Sequence, residues 1–176
     1  SIGDSAFENN KRIGRCAFLY CRSIGTKAFY NARTSGTEGN ISYAHLDNLT
    51  FNNVNSIPEY AFYTYARADG CRYGLSNQFY TQASATTSVK LNFGNVGTIA
   101  TYAFMAKAYA VGIAKDEDST ADSTLNLTFG DVDVIQSSAF SVDATSSSGS
   151  ANTSTSASAE LRLVFGNVKT IKNSIL

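Results

Sequence analysis

The side chains that most often carry chemistry are few in this sequence, and they are poorly spaced for it. His45 is the single histidine. A Ser-His-Asp triad or a zinc centre would need partners at recognisable spacing, and none accompanies it. Beside Tyr43, it fits a surface or strand-edge histidine. The three cysteines, Cys16, Cys21 and Cys71, form no Cys-x-x-Cys pair. They fit small buried thiols, with one disulfide plus a free thiol as the alternative. The acidic run Asp116-Glu117-Asp118, with Asp122, invites a calcium reading. An EF-hand loop starting at Asp116 would need Gly and Glu where the chain has Ala121 and Leu127, so a solvated loop is expected instead. No Gly-x-Gly-x-x-Gly or other phosphate-cradling loop is present. Asn-x-Ser/Thr sequons occur at Asn40, Asn48, Asn126 and Asn152. They bear glycans only in a eukaryotic secretory pathway. These residues together predict no enzyme, no cofactor and no metal site.

Charge narrows the partners further. Fourteen basic residues balance fourteen acidic ones, so no long-range field favours nucleic acid or an anionic membrane. No apolar run is long enough to span a bilayer as a helix. Hydrophobic residues make up 43% of the 176, which suits a packed core rather than a disordered chain.

What must position any functional residue is a repeat. Six Ala-Phe pairs end at Phe7, Phe18, Phe29, Phe62, Phe104 and Phe140, each with isoleucine five positions before the Phe. The isoleucines are Ile2, Ile13, Ile24, Ile57, Ile99 and Ile135, out of only ten in the chain, so chance is a poor explanation. A further copy closes the chain from Ile171 to Leu176, with Ile175 in place of Ala. From Ile24 onward the isoleucines are 33, 42, 36 and 36 residues apart. A second element precedes the later copies: Leu49-x-Phe51-x-Asn53-Val54, Leu91-x-Phe93-Gly94-Asn95-Val96, Leu127-x-Phe129-Gly130-Asp131-Val132 and Leu163-x-Phe165-Gly166-Asn167-Val168. Ten of the eleven phenylalanines belong to one element or the other, leaving Phe79 outside.

Leu125, Leu127 and Phe129 alternate with polar residues, which predicts a strand with one buried face. Strands near 46–51, 89–93, 125–129 and 161–165 should therefore lie side by side in one parallel sheet. The Gly-Asn or Gly-Asp step suggests a turn at positive φ, and the Ala-Phe pair a short helical turn. Phe62, Phe104 and Phe140 should be buried in one continuous ladder. Residues Ala100–Ala114 are Ala-rich and predict a helix. Residues Ser141–Ala159, almost all small and polar, predict a flexible or poorly packed loop, with a glycan-bearing loop as the alternative. Of the tyrosines, Tyr60 fits packing, while Tyr63, Tyr65, Tyr73 and Tyr80 stay open between packing and recognition.

The segments Ser1-Ile2-Gly3-Asp4-Ser5-Ala6-Phe7 and Ser23-Ile24-Gly25-Thr26-Lys27-Ala28-Phe29 resemble the signature of the BspA-like leucine-rich repeats of bacterial and protist surface proteins. That signature is Ile-Gly-x-x-Ala-Phe, often followed by two residues and Cys, and Phe18-Leu19-Tyr20-Cys21 matches the Cys variant. The resemblance implies an α/β solenoid: a leucine-rich-repeat-like right-handed coil with one parallel sheet and short helical or irregular returns. It also implies a secreted or cell-surface protein that binds host proteins or other cells. Residues 1–33 depart from it, forming three 11-residue units without the Leu-x-Phe element, ahead of longer coils over 34–176. Missing coil segments are the favoured explanation, with a compact cap or a helical array as alternatives. The whole chain is expected to be one repeat array and a fragment of a longer one, able to self-associate through uncapped ends.

With Leu and Phe pointing inward, the exposed strand positions are Asn48, Thr50, Lys90, Asn92, Asn126, Thr128, Arg162 and Val164. This stripe is polar and of mixed charge. It predicts a non-catalytic module that binds a protein or a glycan, with a structural spacer or assembly element as the second reading.

Overall fold

The structure, a computed structural model, describes residues 1–10, 12–34, 41–69, 82–112, 118–148 and 154–176. The strands in chain order are β1 (Arg12–Ile13), β2 (Cys16–Phe18), β3 (Phe29–Thr34), β4 (Ile41–Phe51), β5 (Val54–Ile57), β6 (Phe62–Asp69) and β7 (Ala83–Phe93). Then come β8 (Val96–Ile99), β9 (Phe104–Gly112), β10 (Ser119–Thr128), β11 (Val132–Ile135), β12 (Phe140–Ser148), β13 (Thr155–Val164) and β14 (Val168–Ile171). All pairing is parallel. The first sheet has the order β1-β4-β7-β10-β13, with β2 also on β4. The second is β5-β8-β11-β14 and the third β3-β6-β9-β12. Each strand thus pairs with its equivalent one repeat later. Ile57, Ile99, Ile135 and Ile171 are register partners across the second sheet, so the isoleucine spacing in the sequence is the strand register.

The expected Leu-x-Phe strands do share one parallel sheet. The helical and irregular returns do not appear, because the return path is itself built of two more parallel sheets, and no helix occurs among the described residues. The Ala-Phe pair does not form a helical turn. Ala61, Ala103 and Ala139 are fully buried, and the following Phe opens a strand of the third sheet. The left-handed residue at this bend is the one before Ala: Lys27, Tyr60, Tyr102 and Ser138 have φ of 56°, 55°, 53° and 52°.

Nor does the Gly-Asn step work through positive φ, since neither its glycines nor Asn95, Asp131 and Asn167 adopt it. A Cβ on Gly94 would lie 2.6 Å from Asn53 Oδ1, on Gly130 2.5 Å from Asn95 Oδ1, and on Gly166 2.6 Å from Asp131 Oδ1. The glycine is there because the corner side chain of the preceding repeat occupies the space. That also explains Asn52. Its predecessor at the corner, by the pairing of Phe18 with Phe51, is Tyr20, which is 94% exposed and fills nothing.

The three 11-residue units are not equivalent to one another. Ile2 bridges Ile24 and Phe7 stacks on Phe29, so the first and third units follow the second and third sheets. The second unit lies on the first sheet, with Ile13 beside Leu46 and Phe18 beside Phe51. Two such units make one circuit of the fold. Later circuits are longer because strands of the first and third sheets extend past the phenylalanines into a thin two-layer wing.

Two cores result. The larger holds Ile, Val, Leu and two phenylalanine ladders. Phe7, Phe29, Phe62, Phe104 and Phe140 stack at 4.9 to 5.5 Å, and Phe18, Phe51, Phe93, Phe129 and Phe165 at 4.8 to 5.1 Å. Edge-to-face contacts join the two ladders, the arrangement aromatic quadrupoles favour. As expected, Phe62, Phe104 and Phe140 are at most 1% exposed.

The smaller core, in the wing, holds Ala66, Ala68, Ala83, Ala85, Ala108, Ala110 and Ala121. Residues 104–112 are therefore a strand rather than a helix: Ala106, Ala108 and Ala110 point in while Lys107 and Tyr109 point out. Residues 141–148 and 155–159, read above as a loose loop, belong to β12 and β13. Residues 149–153 of that loop and 113–114 of the helix lie outside the described residues. Small side chains let two sheets approach closely, and buried hydroxyls bind the opposite backbone. Ser123 Oγ donates to Ala106 O at 2.8 Å and takes a 2.9 Å bond from Thr87; Ser119 Oγ donates to Ser147 O at 2.9 Å.

One buried amide is left over. Asn31, 1% exposed on β3, has no partner for Oδ1 or Nδ2 among the described residues. An unmet buried amide costs about 1 to 3 kcal/mol, and an apolar replacement of similar shape removes that cost. Asn31→Leu is expected to raise stability by about 1 kcal/mol in urea denaturation. An unchanged or lower midpoint would mean that internal water satisfies the amide.

Candidate recognition faces

The rows on the first sheet follow from strand register. Outward residues of parallel in-register strands stand about 4.8 Å apart in straight lines across the sheet. One row is Asp47, Lys90, Asn126 and Arg162; the next is Thr50, Asn92, Thr128 and Val164. Seven of the eight residues expected in the exposed stripe fall on these two rows. Asn48 does not. It is the extra residue of a β-bulge between Asp47 and Leu49, with φ at 57°, a conformation asparagine tolerates. Its place in the row is taken by Asp47. Lys90, Asn92 and Arg162 are exposed, Asn126 and Thr128 are half-buried, and Val164 is 40% exposed. Neither Lys90 nor Arg162 is in an ion pair among the described residues.

A third row carries His45, Ser88, Thr124 and Glu160. His45 Nδ1 lies 3.5 Å from Asp47 Oδ2, and Ser88 Oγ donates to Asp47 Oδ1 at 3.1 Å. Both neighbours address the carboxylate, so Ser88 is not held by the imidazole as a nucleophile would be. Cys21 is buried and its thiol donates to Ser23 O at 3.2 Å; Cys16 is exposed and neither is bridged. Of the acidic run, Asp118 accepts from Ser154 N at 2.8 Å and Asp122 faces outward from β10. Among the described residues no three metal-ligating side chains converge, and no helix is long and apolar enough to cross a membrane. Cys71, Asn40, Asn152, Asp116, Glu117, Tyr73, Phe79 and Tyr80 lie outside the described residues.

The third sheet presents a different surface, which the sequence reading left open. Tyr30 and Tyr63 are register partners with rings stacked at 4.5 Å and 7°. Lys27 Nζ sits 5.6 Å over Tyr30, and the Arg67 guanidinium 5.4 Å over Tyr109, both at cation–π range. Arg67 Nε also donates to both Asp69 carboxylate oxygens at 2.9 Å, which raises its pKa further. Tyr65 and Lys107 form the next row. The alternation Tyr63, Tyr65 and Arg67 against inward Phe62, Thr64 and Ala66 was the available signal; it marks an outward face as clearly as an inward one.

Burial, with help from Tyr30, Tyr65 and Tyr60 nearby, pushes the Tyr63 phenol from 10 up to about 12. The folded state therefore keeps this proton after the unfolded chain has lost it. The stabilisation is complete below pH 10 and is lost as pH rises through 12. In a near-ultraviolet titration a component should ionise well above the ordinary tyrosine range, and Tyr63→Phe should remove it. An unaltered titration curve in the variant would show the ring to be ordinary.

A polar groove of about 430 Å³ runs over the corner between the first and second sheets. Its wall is a ladder of side chains. Asn53 Oδ1 accepts from Asn95 N at 2.9 Å, Asn95 Oδ1 from Asp131 N at 2.9 Å, and Asp131 Oδ1 from Asn167 N at 2.8 Å. The ladder ties successive repeats together at the corner, where backbone N–H groups would otherwise face solvent.

No protein family matches the chain, and no curated protein or solved structure is significantly similar to it.

Proposed function

We propose that this chain is part of a β-solenoid that acts, at a cell surface or in secreted form, as a non-catalytic recognition module for a protein or glycan. The observation that carries this reading is the straight, in-register row geometry of the outward side chains. Rows set one strand apart address a partner at many equivalent points, so individually weak contacts add along one ligand. Two unpaired cations, Lys90 and Arg162, flank Asn126 within one row, and the tyrosine and arginine content of the third sheet matches what binding surfaces enrich. The likeness of residues 1–7 and 23–29 to BspA-like repeats supports the same reading, as does the absence of a strong charge balance favouring nucleic acid.

A spacer is the second reading. The closely approached, hydroxyl-bonded sheets of the wing favour it, because they would make a stiff rod. The test is capture of surface proteins and glycans by the immobilised chain, repeated with Lys90→Glu and Arg162→Glu together. Loss of captured material in the variant supports recognition by the first sheet. No capture by either form, with native circular dichroism in both, favours the spacer.

A further inference from the structure

We propose that the corner groove is a binding subsite for a neutral saccharide chain, an inference that rests on the recognition reading and specifies its ligand. The ladder spends one atom of each side chain on the next repeat and leaves the other free. Asn53 Nδ2, Asn95 Nδ2 and Asp131 Oδ2 take no hydrogen bond among the described residues. They present two amide donors and one carboxylate acceptor in a line, each about 4.8 Å from the next. That step is close to the advance of one sugar ring in an extended chain, so successive rings meet successive repeats.

The floor beside this line has room for a ring. Gly97 lies between Asn55 and Asp133 in the register of the second sheet, so the middle strand contributes no side chain there. The position cannot be filled from within, since a Cβ on Gly97 would come 2.4 Å from Asn55 O. The result is a notch with polar walls. Asp133 is paired with Lys169, and Asp131 adds a second carboxylate that is in no ion pair among the described residues. A net negative groove disfavours sulfated or uronic chains, whereas hydroxyls can both accept from the amides and donate to the carboxylate.

The ladder also supplies a variant that keeps the fold. Aspartate already serves at position 131, accepting the next N–H through one oxygen, so Asn53→Asp keeps that acceptor and exchanges the amide donor for a second, charged acceptor. Asn55→Tyr fills the notch from an exposed position on β5. Isotope-labelled protein is titrated with cellohexaose and, separately, with a heparin hexasaccharide, and amide shifts are followed. Shifts at the Gly97 amide and the Asn53 and Asn95 side-chain amides with cellohexaose are expected, at least tenfold weaker in Asn53→Asp and in Asn55→Tyr, and weaker still with heparin. No shift with cellohexaose, a preference for heparin, or unchanged binding in both variants would overturn the groove as a saccharide site. Binding lost instead in the Lys90 and Arg162 double variant would also overturn it, while leaving recognition by the first sheet standing. Loss of capture in the earlier experiment together with intact cellohexaose binding in that double variant would support both.

Discussion

Replacing Phe104 by alanine is expected to cost about 3 to 5 kcal/mol of folding stability, the transfer term plus the cavity left behind. The ring is fully buried between Phe62, stacked at 5.1 Å and 4°, and Phe140, at 5.5 Å and 14°. Phe93 and Phe129 each meet it edge-on at 5.7 Å. A small residue there removes partners from both ladders, and neighbouring strands pinned by continuous backbone pairing cannot close the gap. Chemical denaturation of the variant reads the loss directly. A cost under 1 kcal/mol would mean that the ladder is not where stability resides.

Overfilling the wing is the second large effect. Ala121→Leu is expected to destabilise by about 1 to 3 kcal/mol, the usual range for forcing added methylenes into a filled layer. Ala121 is fully exposed to no solvent at all: it sits at 0% accessibility between Ala85 and Ala157 in its sheet and packs in the alanine cluster. The adjacent Thr120 is half-buried and points the other way. Thr120→Leu should stay within about 0.5 kcal/mol, as outward changes usually do. If the two substitutions cost the same, the sheets are not in close approach and hydroxyl bonds across the wing are not what joins them.

The contrast between those two sites explains what could be read from sequence. Leu-x-Phe alternation and the Ile-to-Phe interval were legible because large apolar residues are needed to fill a thick core, and their period survives every repeat. The wing was not, because a thin core is filled by Ala, Ser and Thr, the residues that also fill loops and helices. Ala106, Ala108 and Ala110 do alternate with larger neighbours, but alanine richness alone suggests a helix by propensity, and the pairing of β9 overrides it. In the candidate stripe, Lys90 and Arg162 fall in one row as periodicity suggested, whereas Asn48, though exposed, stands on a bulge out of that row, since one inserted residue shifts everything before it by one position. The groove was invisible for another reason. The repeat put Asn53, Asn95, Asp131 and Asn167 in one column, which read as a turn; that they bond to one another across repeats 36 or 42 residues apart depends on strand register, which the column alone does not give.

The column of Gly94, Gly130 and Gly166 imposes a directional grammar on how such an array can grow. A repeat with glycine at the corner can follow any other, but a repeat with Asn52 there can follow only one whose corner side chain stands away, as Tyr20 does. Copying the segment around Asn52 to a place behind Asn95 or Asp131 would drive its side chain into an occupied site. Duplication by unequal exchange would therefore succeed for the two 36-residue circuits and fail for the earlier one. Chains lengthened in the laboratory should obey the same order: the 36-residue circuits can be multiplied freely, while the circuit that carries Asn52 can follow only one whose corner is left open.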